Sequence, residues 1–329
     1  MKHIPQRLAG TSPEGPSFDD VRAARQRIAP HVHRTPVMTS SSLDAIAGAR
    51  LYFKCENLQR SGSFKMRGAS NAVFSLSEEE AARGVLTHSS GNHAAALALA
   101  AQRRGIRAWI VMPSNSPQIK RRGVVAFGGE ITLCEPTLAA REATAKEVMQ
   151  RTGAVLIHPY DDDRIIAGQG TAAVELIEGV PDLDFVLAPV SGGGLLSGAG
   201  IATRRMLPAA RVIGCEPAQA DDAARSLAAG HLEPASRGTT IADGLRATLS
   251  ARTLAILQRT VDAIALVQEE EIVAAMRLLW ERLKLVVEPS AAVAAAPALF
   301  RQIQGEGRKI GIILSGGNVD LDTLPFSAR

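Results

Sequence analysis

"DFVLAPVSGGGLLSGAGIATRRML", residues 184–207, decides the fold. "DFVLAPV" is an apolar run of strand length, "LLSGAGIATRRML" is of helix length, and "SGGG" stands between them. "RVIGCEP", 211–217, supplies the next strand. Strand, glycine turn, helix, strand is a crossover unit, and crossover units build parallel sheets covered on both faces. The same alternation recurs upstream. "GVLTH", "NHAAALALAAQRRG" and "RAWIVMP" span 84–113, and "GEITLCE", "LAAREATAKEVMQRTG" and "AVLIHP" span 129–159. "KIGIILSGG", 309–317, adds a late strand. The chain reads as α/β, with parallel-rich twisted sheets.

Such sheets bind ligands at the carboxyl ends of their strands. Four strand ends here run directly into small, polar or anionic residues: "HSSGNH", "SGGGLLSG", "EPAQADD" and "SGGNVD". One or two would pass as ordinary turns; four together point to a shared site. Three consecutive glycines, Gly192, Gly193 and Gly194, let backbone N–H groups approach an anion, and the helix that follows adds the partial positive charge of its N-terminus. That is a phosphate cradle, with a plain tight turn as its bland alternative. A dinucleotide is one possible occupant, since Gly192, Gly194 and Ser197 come near the G-x-G-x-x-G pattern and Glu216 ends the next strand. Against it, serine holds the third glycine position.

"SGSFKMRGA", 61–69, sets Lys65 between Phe64 and Met66. Partial desolvation of the amine would lower its pKa and sharpen it as nucleophile and base. A desolvated lysine and a phosphate loop in one chain suit pyridoxal 5′-phosphate (PLP), held covalently by the amine and through its phosphate by the loop. The bland reading is a surface lysine lying over an apolar patch.

Composition narrows the classes. Of 329 residues, 46% are hydrophobic, 21% charged and 4% aromatic, with a net charge of +4. The basic residues are scattered and few rings are available for stacking, so a nucleic-acid partner is not expected. No apolar run approaches membrane-spanning length, and the N-terminal "MKHIPQRLAGTSPEG" lacks a signal-peptide core and reads as a frayed tail. Cys55, Cys134 and Cys215 are far apart and without metal-ligand spacing, which fits a reducing, cytoplasmic setting.

"SGSFKMRGASNA", "SSGNHAAALA", "SGGGLLSG", "EPAQADD", "EPSAAV" and "LSGGNVD" occur in this order. Over about residues 18–322 the chain resembles the serine racemase and serine/threonine dehydratase family of PLP enzymes, built on the tryptophan-synthase β-type fold. The resemblance implies that Lys65 is the Schiff-base lysine and that Phe64 packs beside the cofactor. Asn92 would bond its 3-hydroxyl, Ser191, Gly192, Gly193, Gly194 and Leu195 its phosphate, and Ser315 its ring nitrogen. Ser89, Ser90, Asn92 and His93, at a helix N-terminus, would receive the substrate carboxylate, and Ser90 would face the substrate opposite Lys65. Glu216, the Ala220 carbonyl and Asp222 match a divalent-cation site whose hard oxygens suit Mg²⁺, Mn²⁺ or Ca²⁺. Glu288 and Arg141 match family positions without an assigned role, and Arg141 alone reads as a solvated helix residue. Ala95 and Tyr160 depart from the family pattern, which argues against nucleotide regulation and for room beside the β-substituent.

The expected activity is a PLP-dependent ammonia-lyase (dehydratase). It would convert a β-hydroxy-α-amino acid, of the serine, threonine, 3-hydroxyaspartate or phenylserine type, to a 2-oxo acid and ammonia. A racemase using Lys65 and Ser90 is the nearest alternative. A nicotinamide-dependent oxidoreductase and an inactive amino-acid-binding protein are the more distant ones. Residues 1–75 and 161–329 would form a large PLP-binding domain and 76–160 a small domain closing on the substrate; the resemblance, not the sequence itself, implies a homodimer.

Overall fold

Ten strands divide between two sheets among the residues described by the computed structural model, 15–326 apart from 90 and 117. They are β1 (Val37–Met38), β2 (Arg50–Cys55), β3 (Val85–His88), β4 (Ala108–Pro113), β5 (Glu130–Cys134), β6 (Val155–Leu156), β7 (Phe185–Pro189), β8 (Arg211–Pro217), β9 (Ala263–Val267) and β10 (Lys309–Leu314). The larger sheet runs β1-β2-β10-β7-β8-β9 and the smaller β5-β4-β3-β6. Every pairing is parallel except β1 with β2 at one edge. The frayed tail expected before residue 15 lies outside the described residues, as does Ser90.

Both faces of the larger sheet are buried, and its strands show this residue by residue. Phe185 and Leu187 of β7 enter one apolar cluster, while Val186 and Ala188 enter another on the opposite face. Strand side chains alternate between faces, so a run without polar residues is what a doubly covered strand requires. A third cluster covers one face of the smaller sheet and includes Met66, Ala69, Ala72 and Val73 from the helix Lys65–Phe74, while a fourth covers the other face. That helix therefore packs with the smaller sheet while its first residue, Lys65, reaches the Pro159 carbonyl.

The helix Asp163–Gly179 is the other joint. An added Cβ at Gly168 would lie 2.6 Å from Gly68 Cα, and one at Gly170 would lie 2.8 Å from the Gly198 carbonyl oxygen. Glycine at these positions lets one helix touch the backbone of two others, Lys65–Phe74 and Gly194–Met206.

Candidate active site

The lysine stretch and the "SGGN" stretch, 250 residues apart in sequence, zip together. Phe64 N–H donates to the Ser315 carbonyl at 2.9 Å, Ser63 bridges Gly316, and Gly317 N–H donates to the Gly62 carbonyl at 2.9 Å. Asn318 Nδ2 adds a 2.8 Å bond to the Ser61 carbonyl. Gly62 has φ +75°, and a Cβ there would lie 2.2 Å from Asn318 Oδ1, so this turn requires glycine.

Lys65 opens its helix and is half-buried, with Nζ donating to the Pro159 carbonyl at 2.8 Å and lying 5.1 Å from the centre of the Phe64 ring. Burial lowers its pKa to about 8. Neither charge nor hydrogen bond from a carboxylate offsets that loss of hydration, which is how an amine is made reactive near neutrality.

Pro159 leads directly to the glycine loop. The next residue, Tyr160, lays its ring on Gly192, where a Cβ would come within 2.4 Å of ring carbons. Its Cβ and backbone also crowd Gly194, at 3.1–3.3 Å. Gly193 takes φ +90°, and a Cβ there would meet Thr253 and Leu249 at 2.7 and 2.8 Å. Gly192 and Gly193 are sterically required and Gly194 is tightly packed, and the loop opens the helix Gly194–Met206. Ser191 Oγ fixes the loop by exchanging hydrogen bonds with the Ala247 carbonyl (3.1 Å) and amide (3.0 Å). A cradle that side chains cannot enter, at a helix N-terminus, fits a phosphate.

Behind Tyr160, His158 Nδ1 accepts the amides of Tyr160 (3.4 Å) and Asp161 (2.9 Å), and burial lowers its pKa to about 4. The ring is therefore neutral and holds the turn. His88 packs edge-on to it at 5.6 Å and is lowered by burial and by the Arg141 charge. Arg141 departs from its reading as a solvated helix residue: its Nε is buried and without a partner.

At the helix Asn92–Arg104, Asn92 Nδ2 donates to Glu288 at 2.8 and 3.1 Å, and its Oδ1 accepts from Asn318 at 2.9 Å. Asn92 is thus brought to the lysine zipper. Burial pushes the Glu288 carboxyl up to about 7, against the Asn92 hydrogen bond. His93 points elsewhere: its ring is buried, with Nε2 3.3 Å from the Ile157 carbonyl, so only its backbone N–H remains at the helix entrance. Ser89 lies at the end of β3, its amide on the Val111 carbonyl at 3.1 Å.

At the end of β8, Glu216 accepts the amides of Ala223 and Ala224 at 2.9 and 2.8 Å, yet burial lifts it to about 8. Asp222 is buried, its Oδ2 has no hydrogen-bond partner, and burial lifts it to about 6. An orphaned carboxylate oxygen beside a second carboxylate and the buried Ala220 is a donor set a hard divalent cation fits. No group of three or more His, Cys, Asp or Glu that could hold a metal occurs among the described residues, so backbone oxygen and water would complete the shell.

Sequence reasoning missed the Pro159 carbonyl, Tyr160 as the wall of the cradle, Asn318, and Glu56 and Glu175, which accept hydrogen bonds from the buried Arg67 two residues after the lysine. The signal for Asn318 was present, since it lies within the strand-end motif "SGGNVD"; the others are long-range contacts.

Comparisons with known proteins identify the family. Residues 28–316 match the model of a family described as "Pyridoxal-phosphate dependent enzyme". A serine racemase of Oryza sativa subsp. indica is 50% identical over 309 residues, covering 92% of this chain and 91% of the relative. A beta-hydroxyaspartate dehydratase of Paracoccus denitrificans is 48% identical over 312 residues, covering 95% of this chain and 99% of the relative. The solved structure of maize serine racemase superposes with a TM-score of 0.92 at 49% identity, covering 94% of this chain and 96% of that one. The nicotinamide alternative is thereby set aside, and the Glu216 carboxylate accepts amides of the helix Asp222–Ala229. Phosphate cradle, desolvated lysine and family match converge: this chain belongs to the pyridoxal-phosphate-dependent enzymes.

Proposed function

We propose that the chain is a dehydratase that converts a β-hydroxy-α-amino acid to a 2-oxo acid and ammonia. The reading is carried by the Lys65 amine, lowered to about 8 by burial and held 2.8 Å from the Pro159 carbonyl beside the glycine cradle. PLP, when bound, supplies the aldehyde that takes the amine and the ring that makes the Cα–H acidic. Lys65 anchors the cofactor and moves the Cα proton, Gly192, Gly193 and Gly194 hold phosphate, and the amides at the start of Asn92–Arg104 receive the α-carboxylate. The hydroxyl leaves from Cβ as water, and water returned to the unsaturated product releases ammonia, so substrate and products balance. Residues 76–160 close on the substrate, and the working unit is a cytoplasmic homodimer.

The unpartnered Arg141 Nε, whose charge acts on His88 and Tyr160, favours an anionic β-substituent. This puts 3-hydroxyaspartate first among candidates, ahead of serine, threonine and phenylserine, and the name of the Paracoccus relative supports the same order. Racemisation through Lys65 and Ser90 is the second reading, supported by the names of the other relatives. Both are tested by assaying oxo acid and enantiomer over the stereoisomers of these four amino acids. We expect 3-hydroxyaspartate to give the highest kcat/KM for oxo acid. Ser90→Ala should lower racemisation by about 10²–10⁴-fold while sparing elimination. Oxo acid from none of the isomers would overturn the dehydratase reading.

We further propose a divalent cation on Glu216, Ala220 and Asp222. A cation that binds only the folded chain stabilises it by about 2.7 kcal/mol at 100 times its Kd. Mg²⁺, Mn²⁺ or Ca²⁺ added to EDTA-treated protein should therefore raise Tm, and Asp222→Ala should abolish the rise. An identical rise in Asp222→Ala would place the ion elsewhere.

A further inference from the structure

The first turn of the lysine helix is held by a buried charge cluster that the chemistry above does not use. Arg67 is fully buried and meets two carboxylates. Its Nε and Nη2 donate to Glu56 at 2.7 and 2.8 Å; its Nη1 and Nη2 donate to Glu175 at 2.9 and 2.8 Å. Nη1 also reaches Thr171 Oγ1 at 3.2 Å, so all five guanidinium N–H groups have partners. Lys54 completes the cluster with bonds to Glu175 (2.7 Å) and the Thr35 carbonyl (2.6 Å), and Thr35 Oγ1 donates to Glu56 at 2.5 Å.

This arrangement is a poor way to stabilise a core, because desolvating four charges costs about as much as pairing them returns. It is a good way to fix one rotation. Residues two apart on a helix point about 200° from each other. Drawing Arg67 inward onto two carboxylates therefore turns Lys65 outward, toward Pro159 and the glycine cradle. Gly68 N–H adds a 3.1 Å bond to Gln169 Oε1, and Gly68 rests on Gly168. Glu175, Thr171, Gln169 and Gly168 all belong to the helix Asp163–Gly179, whose Gly170 rests on Gly198 of the cradle helix. One helix thus gauges the separation of the amine from the phosphate loop.

We propose that Arg67, through Glu56 and Glu175, is a positioning residue that aims Lys65 at the cofactor; this rests on the function proposed above. The test uses the paired variant Glu56→Met/Arg67→Met, which removes one charge of each sign and fills the space with apolar atoms. Displacing a reacting group by about 1 Å can cost about 10²-fold in rate. The holoenzyme variant should keep its denaturation midpoint yet lose about 10²-fold in kcat, with KM changed less than about threefold. PLP should leave it at least about tenfold faster, and in the PLP-free protein the pH dependence of Lys65 acylation should shift from that of wild type.

An unchanged kcat, PLP release rate and acylation profile would overturn the proposal, leaving Arg67 a structural residue. Should the pair fail to fold, Arg67→Lys keeps the charge but not the fork. About tenfold losses in kcat and in PLP retention are expected there, and wild-type values would likewise overturn it. Wild-type protein that takes up no PLP would instead overturn the reading of the site itself.

Discussion

Lys65→Ala is expected to yield a folded, colourless protein with kcat/KM reduced by at least about 10⁴-fold, because two functions leave together. Proton transfer by a placed base is worth about 10²–10⁴-fold alone, and the covalent hold on the cofactor is lost as well. Borohydride should bleach the visible band of wild type and find nothing to bleach in the variant. Acidity gives the same residue a second signature in the PLP-free protein. Burial takes the amine from its ordinary 10.5 down to about 8. Its folded pKa is lowered, so the neutral, nucleophilic form persists to lower pH than in the unfolded chain. At pH 7.5 about a quarter is neutral, against about one part in a thousand for an ordinary lysine. Acylation of Lys65 should thus follow a titration centred near 8 in the folded chain and move toward 10.5 in denaturant. A visible band and substantial turnover surviving in Lys65→Ala would refute the assignment of the cofactor lysine.

The sequence made Lys65 conspicuous because Phe64 and Met66 flank it, and local context carries that much. Its partner could not be read, since Pro159 lies 94 residues away and offers only a carbonyl. The glycine loop was legible because three adjacent glycines have few other uses; that Tyr160 forms its wall was not, because any residue there satisfies the local pattern. His93 shows the limit at a helix entrance. Sequence places it at the first turn but cannot say whether the ring faces ligand or core, and the Ile157 carbonyl draws it into the core.

Strands followed the same logic. β3, β4, β5, β7, β8 and β10 are apolar runs with polar ends, and each forms where such runs occur. β1 was missed because it is two residues long; β2 and β9 were missed although "RLYFKC" and "AIALV" are of strand length. "AVLIHP" reads as a full strand but pairs only at Val155–Leu156, after which His158 and Pro159 turn toward the lysine. The separation into two sheets is a tertiary fact: each crossover unit satisfies the parallel rule in either arrangement, and sheet membership depends on which helices lie between them.

Glu56→Met should be the most damaging single change for stability, costing about 3–5 kcal/mol. Glu56, Arg67, Lys54 and Glu175 form a cluster of two positive and two negative groups, all nearly excluded from water. Removing Glu56 strips Arg67 of two hydrogen bonds, at 2.7 and 2.8 Å, and leaves two cations sharing one buried carboxylate. Arg67 cannot shed its charge by deprotonation, since a guanidinium stays charged in proteins. Adding Arg67→Met restores neutrality, with Lys54 and Glu175 still paired, and should recover most of the loss, because apolar replacement of a buried pair is often neutral or favourable. Chemical denaturation at pH 7 measures both variants, and a single-variant cost below about 1 kcal/mol would contradict the account. The cluster also sets an acid limit. Burial alone would raise the Glu175 pKa, but the Arg67 hydrogen bonds and the Arg67 and Lys54 charges reverse this and leave it below 4.5. A depressed carboxyl stabilises the fold above its unfolded pKa, and the contribution disappears as pH falls through the folded value. Wild type should accordingly lose stability below about pH 4, and Glu175→Gln, already deprived of that contribution at pH 7, should show a shallower acid limb.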